Sequence, residues 1–105
     1  MRRIEIEQIK TLIRPYIRDK NRCINTPLYM YYKGGVLQTL DKIDMYAEEV
    51  GYNHKSMSEI EYNNLLGYIY TLYKSGQETP KHKAYNHAVA LSYKIVKMYY
   101  SKLQE

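Results

Sequence analysis

The sequence predicts an all-α chain, a four-helix bundle-like single domain. Three observations carry that prediction. Apolar residues recur with the 3.6-residue helical period in four separate stretches, and no window keeps the two-residue alternation of a half-buried strand. Thr26-Pro27 and Thr79-Pro80 each place a capping hydroxyl before a proline, which suits the first helical position because that N–H has no helical partner. The stretches are joined by connections of roughly six, seven and three residues, the lengths that link neighbouring helices in a bundle.

The first helix is expected over about 3–20, with Ile6, Ile9, Leu12, Ile13, Tyr16 and Ile17 on one face. Pro15 removes a backbone donor and crowds the preceding turn, so this helix should kink or end early near Arg14. The second is expected over 27–50, burying Leu28, Tyr32, Val36, Leu40, Ile43, Ala47 and Val50, with Gly51 as its stop. Gly34-Gly35 interrupts it at a cost of ~2 kcal/mol relative to alanine. A break near 34–35 is expected there, and a close helix crossing at that spot would offset the cost.

The third helix, expected over 58–75, opens with a capping box in which Ser58 and Glu61 satisfy each other's backbone N–H groups. Its core face reads Tyr62, Leu65, Leu66, Ile69, Leu72 and Tyr73, and Ser75-Gly76 closes it. The opposite face, Asn63, Asn64, Gly67, Thr71 and Lys74, is polar and nearly neutral. The fourth helix, expected over 80–103, carries two apolar stripes. One is Ala84, Ala88, Leu91, Ile95 and Met98; the other is Tyr85, Val89, Tyr93, Val96 and Tyr100. Together they cover more than half its circumference, which makes it the central element. Its hydrophilic arc holds Lys83, His87, Lys94 and Lys97.

The two Thr-Pro starts lie 53 residues apart, and the same offset aligns Tyr32 with Tyr85, Val36 with Val89, Leu12 with Leu65 and Gly35 with Ala88. Two readings stand: a duplicated helix pair, or the shared pattern of two unrelated amphipathic pairs. Asp41 and Asp44 fall on Lys94 and Lys97, so equivalent positions carry opposite charge. The acidic stripe Asp41, Asp44 and Glu48 could pair with the basic one within the monomer or across a two-fold dimer.

Composition narrows the classes. The chain has 105 residues, enough to bury a core without disulfides or metal. Cys23 is the only cysteine, so no intrachain disulfide forms and a cytoplasmic setting is the simpler expectation. The N-terminus alternates charge with isoleucine and does not read as a secretory signal, and no apolar run is long enough to span a bilayer. Fourteen Tyr stand beside no Phe and no Trp, so every aromatic ring brings a hydroxyl that needs water or a partner. Ile, Lys, Asn and Tyr supply 41 residues, the usage of AT-rich codons, which fits a low-GC bacterium, its phages or its mobile elements. The net charge is +5, with basic ends around a mildly acidic middle, a directed electrostatic surface.

Catalytic and cofactor chemistry finds no foothold. His82 and His87 are five apart and point to different sides of a helix, His54 sits in a loop, and no second cysteine assists, so no metal site is expected. Cys23 has Arg22 beside it but no base in view. Glu48 and Glu49 are adjacent and diverge. The closely spaced arginine–histidine pair of small four-helix nucleases is absent, since all five arginines lie between positions 2 and 22. Lys33-Gly34-Gly35 could form a phosphate nest, but it lacks the spacing and the Lys-Ser/Thr ending of a P-loop, and a kink is favoured.

The leading expectation is therefore a non-enzymatic protein-interaction module that binds another protein or copies of itself, with no cofactor and no small-molecule substrate. A small phage or mobile-element accessory protein that occupies a host factor fits the composition. The candidate protein interface is Tyr29, Met30, Tyr31, Asn63, Asn64, Gly67, Thr71, Asp41, Asp44 and Glu48. Tyr and Met are enriched at binding surfaces, and Tyr29-Met30-Tyr31-Tyr32 cannot all face one core. The alternative is a nucleic-acid-binding module using Arg3, Lys10, Arg14 and Arg18 on the first helix and Lys83, Lys94 and Lys97 on the last.

Overall fold

The computed structural model describes residues 2–18, 27–50, 57–76 and 79–103. It is an all-α arrangement of four helices, α1 (Arg2–Ile13), α2 (Pro27–Val50), α3 (Glu59–Tyr70) and α4 (Pro80–Leu103), and no strand occurs among the described residues. Pro15 decides how α1 ends. With that donor missing, α-helical bonding stops at Ile13 and Arg14–Arg18 continue as a tighter 3-10 turn, so α1 does not run on to residue 20.

The expected break at Gly34-Gly35 does not occur: α2 is one continuous helix through both glycines. Gly35 is what lets α4 come close. A Cβ on it would stand 2.7 Å from the carbonyl oxygen of Tyr85 and 2.8 Å from the Cβ of Ala88. The packing gained at this crossing offsets the propensity cost of the glycines. Among the described helices the α2–α4 interface is the most extensive.

The capping box at the start of α3 forms as expected: Glu61 N–H donates to Ser58 Oγ at 3.2 Å, and Ser58 N–H donates to Glu61 Oε1 at 3.3 Å. The far end differs from expectation, because α3 stops at Tyr70 rather than near Ser75. Asn86 of α4 takes over the backbone there. Its Oδ1 accepts from Lys74 N–H at 2.7 Å and its Nδ2 donates to Lys74 O at 3.0 Å, which holds the segment out of the helix. Gly76, at φ +79°, then turns the chain toward α4. Thr79 caps α4 as read from the sequence, its Oγ1 accepting from His82 N–H at 3.3 Å. Thr26, Gly51, Cys23 and His54, singled out above, lie outside the described residues.

The core draws on all four helices: Ile6, Ile9 and Ile13, then Tyr32, Val36 and Ile43, then Tyr62, Leu65 and Ile69, then Ala88, Val89 and Val96. The hydroxyls of buried Tyr46, Tyr62 and Tyr85 reach partners, as a core without Phe requires. Tyr46 donates to Glu61 O at 2.8 Å, and Tyr85 donates to Gln38 Oε1. Four side chains assigned to core faces lie outside it: Leu12, Val50, Tyr73 and Met98 are exposed. Val50 is the last residue of α2 and Tyr73 lies beyond the end of α3, while Leu12 and Met98 turn to the outer faces of α1 and α4.

Candidate interaction surfaces

Opposite its buried face, α2 turns a stripe of side chains to solvent. Met30 (65% exposed), Leu37 (42%) and Met45 (54%) stand along that outer face, with Asp41 between Leu37 and Met45 and Glu48 one turn beyond. The helical period explains the alignment, since Leu37, Asp41, Met45 and Glu48 follow at steps of three or four. The outer face of α4 is built from the positions 53 residues further on. Lys83, His87, Ala90, Lys94, Lys97 and Met98 are all exposed, and the face is cationic where that of α2 is anionic.

The acidic stripe is not matched by the basic one inside the monomer. Asp44 pairs instead with α1: Lys10 Nζ lies 2.7 Å from Asp44 Oδ1 and 3.8 Å from Glu7 Oε1. Among the described residues no ion pair joins Asp41, Asp44 or Glu48 to Lys94 or Lys97. Lys10 is thereby drawn into the structure, its side chain only 13% exposed, and differs from the solvent-facing contact read from sequence. Arg14 is exposed, and the side chains of Arg3 and Arg18 lie outside the described set.

The remaining candidate residues fall into separate surfaces. Tyr29 is half-buried, while Tyr31 is exposed with Lys81 Nζ over its ring at 5.3 Å. Asn63, Asn64, Gly67 and Thr71 line a groove of about 560 Å³ with Glu49 and Val50 at the end of α2. The Tyr68 hydroxyl donates to Glu49 across it, so this face is partly closed by its own helix pair. Lys83 lies in a different groove, of about 360 Å³, with Tyr73, Lys74, Asn86 and His87. Tyr70 and Tyr73 stack beside it with centroids 5.8 Å apart and rings 4° from parallel, and Tyr93 meets Tyr70 edge-on.

Two features escaped the sequence. Ile4, Gln8, Thr11 and Leu12 of α1 form, with Tyr99 of α4, an apolar groove of about 530 Å³, and the Tyr99 hydroxyl donates to Gln8 Oε1. The second is Glu5, a carboxylate only 7% exposed. Its Oε2 accepts from Met57 N–H at 2.9 Å and from the Tyr62 hydroxyl at 3.3 Å, tying α1 to the start of α3. The signal was present, since Glu5 precedes Ile9 by one helical turn and shares the core face. Burial, and then the Glu5 charge, hold the Tyr62 hydroxyl far above the usual tyrosine range. Tyr100 lies over the same ring at 4.4 Å between centroids.

Among the described residues no group of three or more His, Cys, Asp or Glu is placed to hold a metal ion. Lys33-Gly34-Gly35 lies inside a continuous helix, so its N–H groups do not form an open nest. No described helix is long and apolar enough to cross a membrane. Comparison with protein-family models, with curated proteins and with solved structures finds no match to this chain.

Proposed function

We propose that this chain is a non-enzymatic protein-interaction module that acts in the cytoplasm. The outer face of α2 carries this reading. Three large apolar side chains, Met30, Leu37 and Met45, stand exposed on one helical stripe, with Asp41 between the last two and Glu48 beyond them. Exposed apolar side chains gathered on one face and bordered by charge mark protein contacts, whereas singly scattered ones do not. An accessory protein of a phage or mobile element that occupies a host protein suits this surface and the AT-rich codon usage. The test is capture on immobilised protein from a low-GC bacterial lysate, alongside capture of the chain by itself. Wild type retains a partner, or itself, and a Leu37→Lys/Met45→Lys variant loses it. A strictly monomeric chain that retains no protein removes the proposal.

A second reading rests on the stacked Tyr70–Tyr73 pair beside Lys74 and Lys83. Exposed rings next to cations suit single-stranded nucleic acid, with bases on the rings and phosphates on the lysines. It requires binding that weakens steeply with salt, because each neutralised phosphate releases counterions. Absence of binding to single-stranded DNA or RNA at low salt removes it.

A further inference from the structure

We infer that this chain associates with further copies of itself head to tail, the outer face of α2 in one copy seating on the outer face of α4 in the next. The inference rests on the protein-interaction reading and names the partner as a second copy. Two observations choose that partner.

The first is complementarity of charge and shape. Asp41 sits at the middle of the α2 face, with Leu37 one turn before it and Met45 one turn after. Lys94 sits at the middle of the α4 face, with Ala90 one turn before it and Met98 one turn after. All six are exposed. When Asp41 opposes Lys94, parallel helices bring Leu37 to Ala90 and Met45 to Met98. Antiparallel helices bring Leu37 to Met98 and Met45 to Ala90. Both directions give one ion pair flanked by two apolar contacts, so the match does not depend on the crossing direction. Asp44 is already held by Lys10, which leaves Asp41 and Glu48 as the acids that face outward.

The second is where the two faces point. α2 and α4 run in the same direction, with Tyr31 beside Lys81 and Gly35 against Ala88. Asp41 and Lys94 each lie six residues on from that crossing, about 120° round the helix in the same sense, so the two outer faces point to opposite sides. One copy cannot satisfy its own stripes. Two copies cannot close into a dimer through two such contacts either, because each presents its α2 and α4 faces in opposite directions. A contact between two different patches of the same chain adds copies one after another.

The experiment uses the full chain in light scattering over a concentration series at low and high salt, with the variants Asp41→Lys and Lys94→Asp. Both positions are exposed, and circular dichroism and thermal melting confirm that each variant keeps the fold. Wild type gains mass beyond a dimer as concentration rises, and loses it in salt. Each variant alone opposes like charges, weakens association by ~tenfold or more and stays near the monomer mass. An equimolar mixture regains the wild-type behaviour. In it the α2 face of the Asp41→Lys variant meets the α4 face of the Lys94→Asp variant with both charges reversed, and the other contact is wild type. Wild type that stays monomeric, or that stops at a dimer, overturns the inference. So does assembly that neither variant reduces. A monomer that still captures another protein ends this inference but leaves the protein-interaction reading standing. A monomer that binds single-stranded nucleic acid, and loses it with Lys94→Asp, assigns the α4 face to nucleic acid and overturns the inference.

Discussion

Gly35 of α2 lies against Ala88 of α4, so close that a Cβ on the glycine would fall 2.8 Å from the alanine methyl. These two positions are also 53 residues apart, the offset that separates Pro27 from Pro80. The two long helices therefore cross at equivalent points, with Tyr32 and Val36 flanking one side and Tyr85 and Val89 the other. A crossing this tight needs a residue without a side chain on one helix and a small one on its partner. The geometry of the largest interface among the described helices hangs on that pair.

The adjacent glycines should respond to alanine in opposite directions. At Gly34 a new Cβ meets nothing within 4 Å, so Gly34→Ala gains helix propensity alone and stabilises by about 1 kcal/mol. At Gly35 the nearest atom is the Tyr85 carbonyl oxygen, at 2.7 Å, and backbone cannot rotate aside. Overpacking there outweighs the propensity gain, and Gly35→Ala destabilises by roughly 1–2 kcal/mol net. Urea unfolding of both variants at low protein concentration checks the signs, and equal effects contradict the crossing.

Glu5 should matter more than a charged residue near a terminus usually does. It accepts from the Met57 N–H at 2.9 Å in a buried setting, so removing the carboxylate leaves that donor without its acceptor. Glu5→Ala is expected to cost about 2–3 kcal/mol, and Glu5→Gln, which keeps an acceptor oxygen, less than half of that. Denaturant midpoints for the two variants rank them. An effect within about 0.5 kcal/mol for Glu5→Ala, typical of surface substitutions, contradicts the burial.

Fold class and helix starts were legible because they are local. Pro15, Ser58 with Glu61, Thr79 and Pro80 act within one turn of themselves, and each does what its chemistry dictates. What could not be read depends on residues far apart in the chain. The uninterrupted run of α2 through Gly34-Gly35 is decided by Ala88, and the early end of α3 by Asn86. Lys10 looked like one of a basic strip until Asp44 came beside it. The candidate surfaces were half legible for the same reason. Periodicity placed Asp41, Lys94 and Lys97 on outer faces, but it assigned Leu12 and Met98 to a core they do not enter.

Asn86 sets the end of α3, so its loss should loosen the segment 71–76 ahead of the rest. Its amide serves both backbone groups of Lys74, at 2.7 and 3.0 Å, from a position 8% exposed. Asn86→Ala leaves both groups to solvent and is expected to cost about 2 kcal/mol. Limited proteolysis separates this from a general loss of stability. Cleavage within 71–76 should rise under conditions where the other helices stay intact. Uniform cleavage along the chain contradicts a local role.

Alkaline pH should destabilise the fold through Tyr62. Burial raises its hydroxyl pKa well above the ordinary value of 10, and the Glu5 charge adds to the shift. Tyr85 moves the same way by burial, and Tyr99 by burial and then Glu5. A raised folded-state pKa means that the contribution is intact below the unfolded value. As pH climbs past it, the unfolded chain releases a proton that the folded chain keeps. Stability then falls by about 1.4 kcal/mol per pH unit while the folded chain keeps the Tyr62 proton. Urea midpoints should be insensitive to this effect near pH 8 and should drop between about pH 10 and 11. Tyr62→Phe removes one titrating hydroxyl, so its decline should be shallower than that of wild type even though its stability at neutral pH is lower. Parallel declines for the two proteins would contradict the assignment to Tyr62.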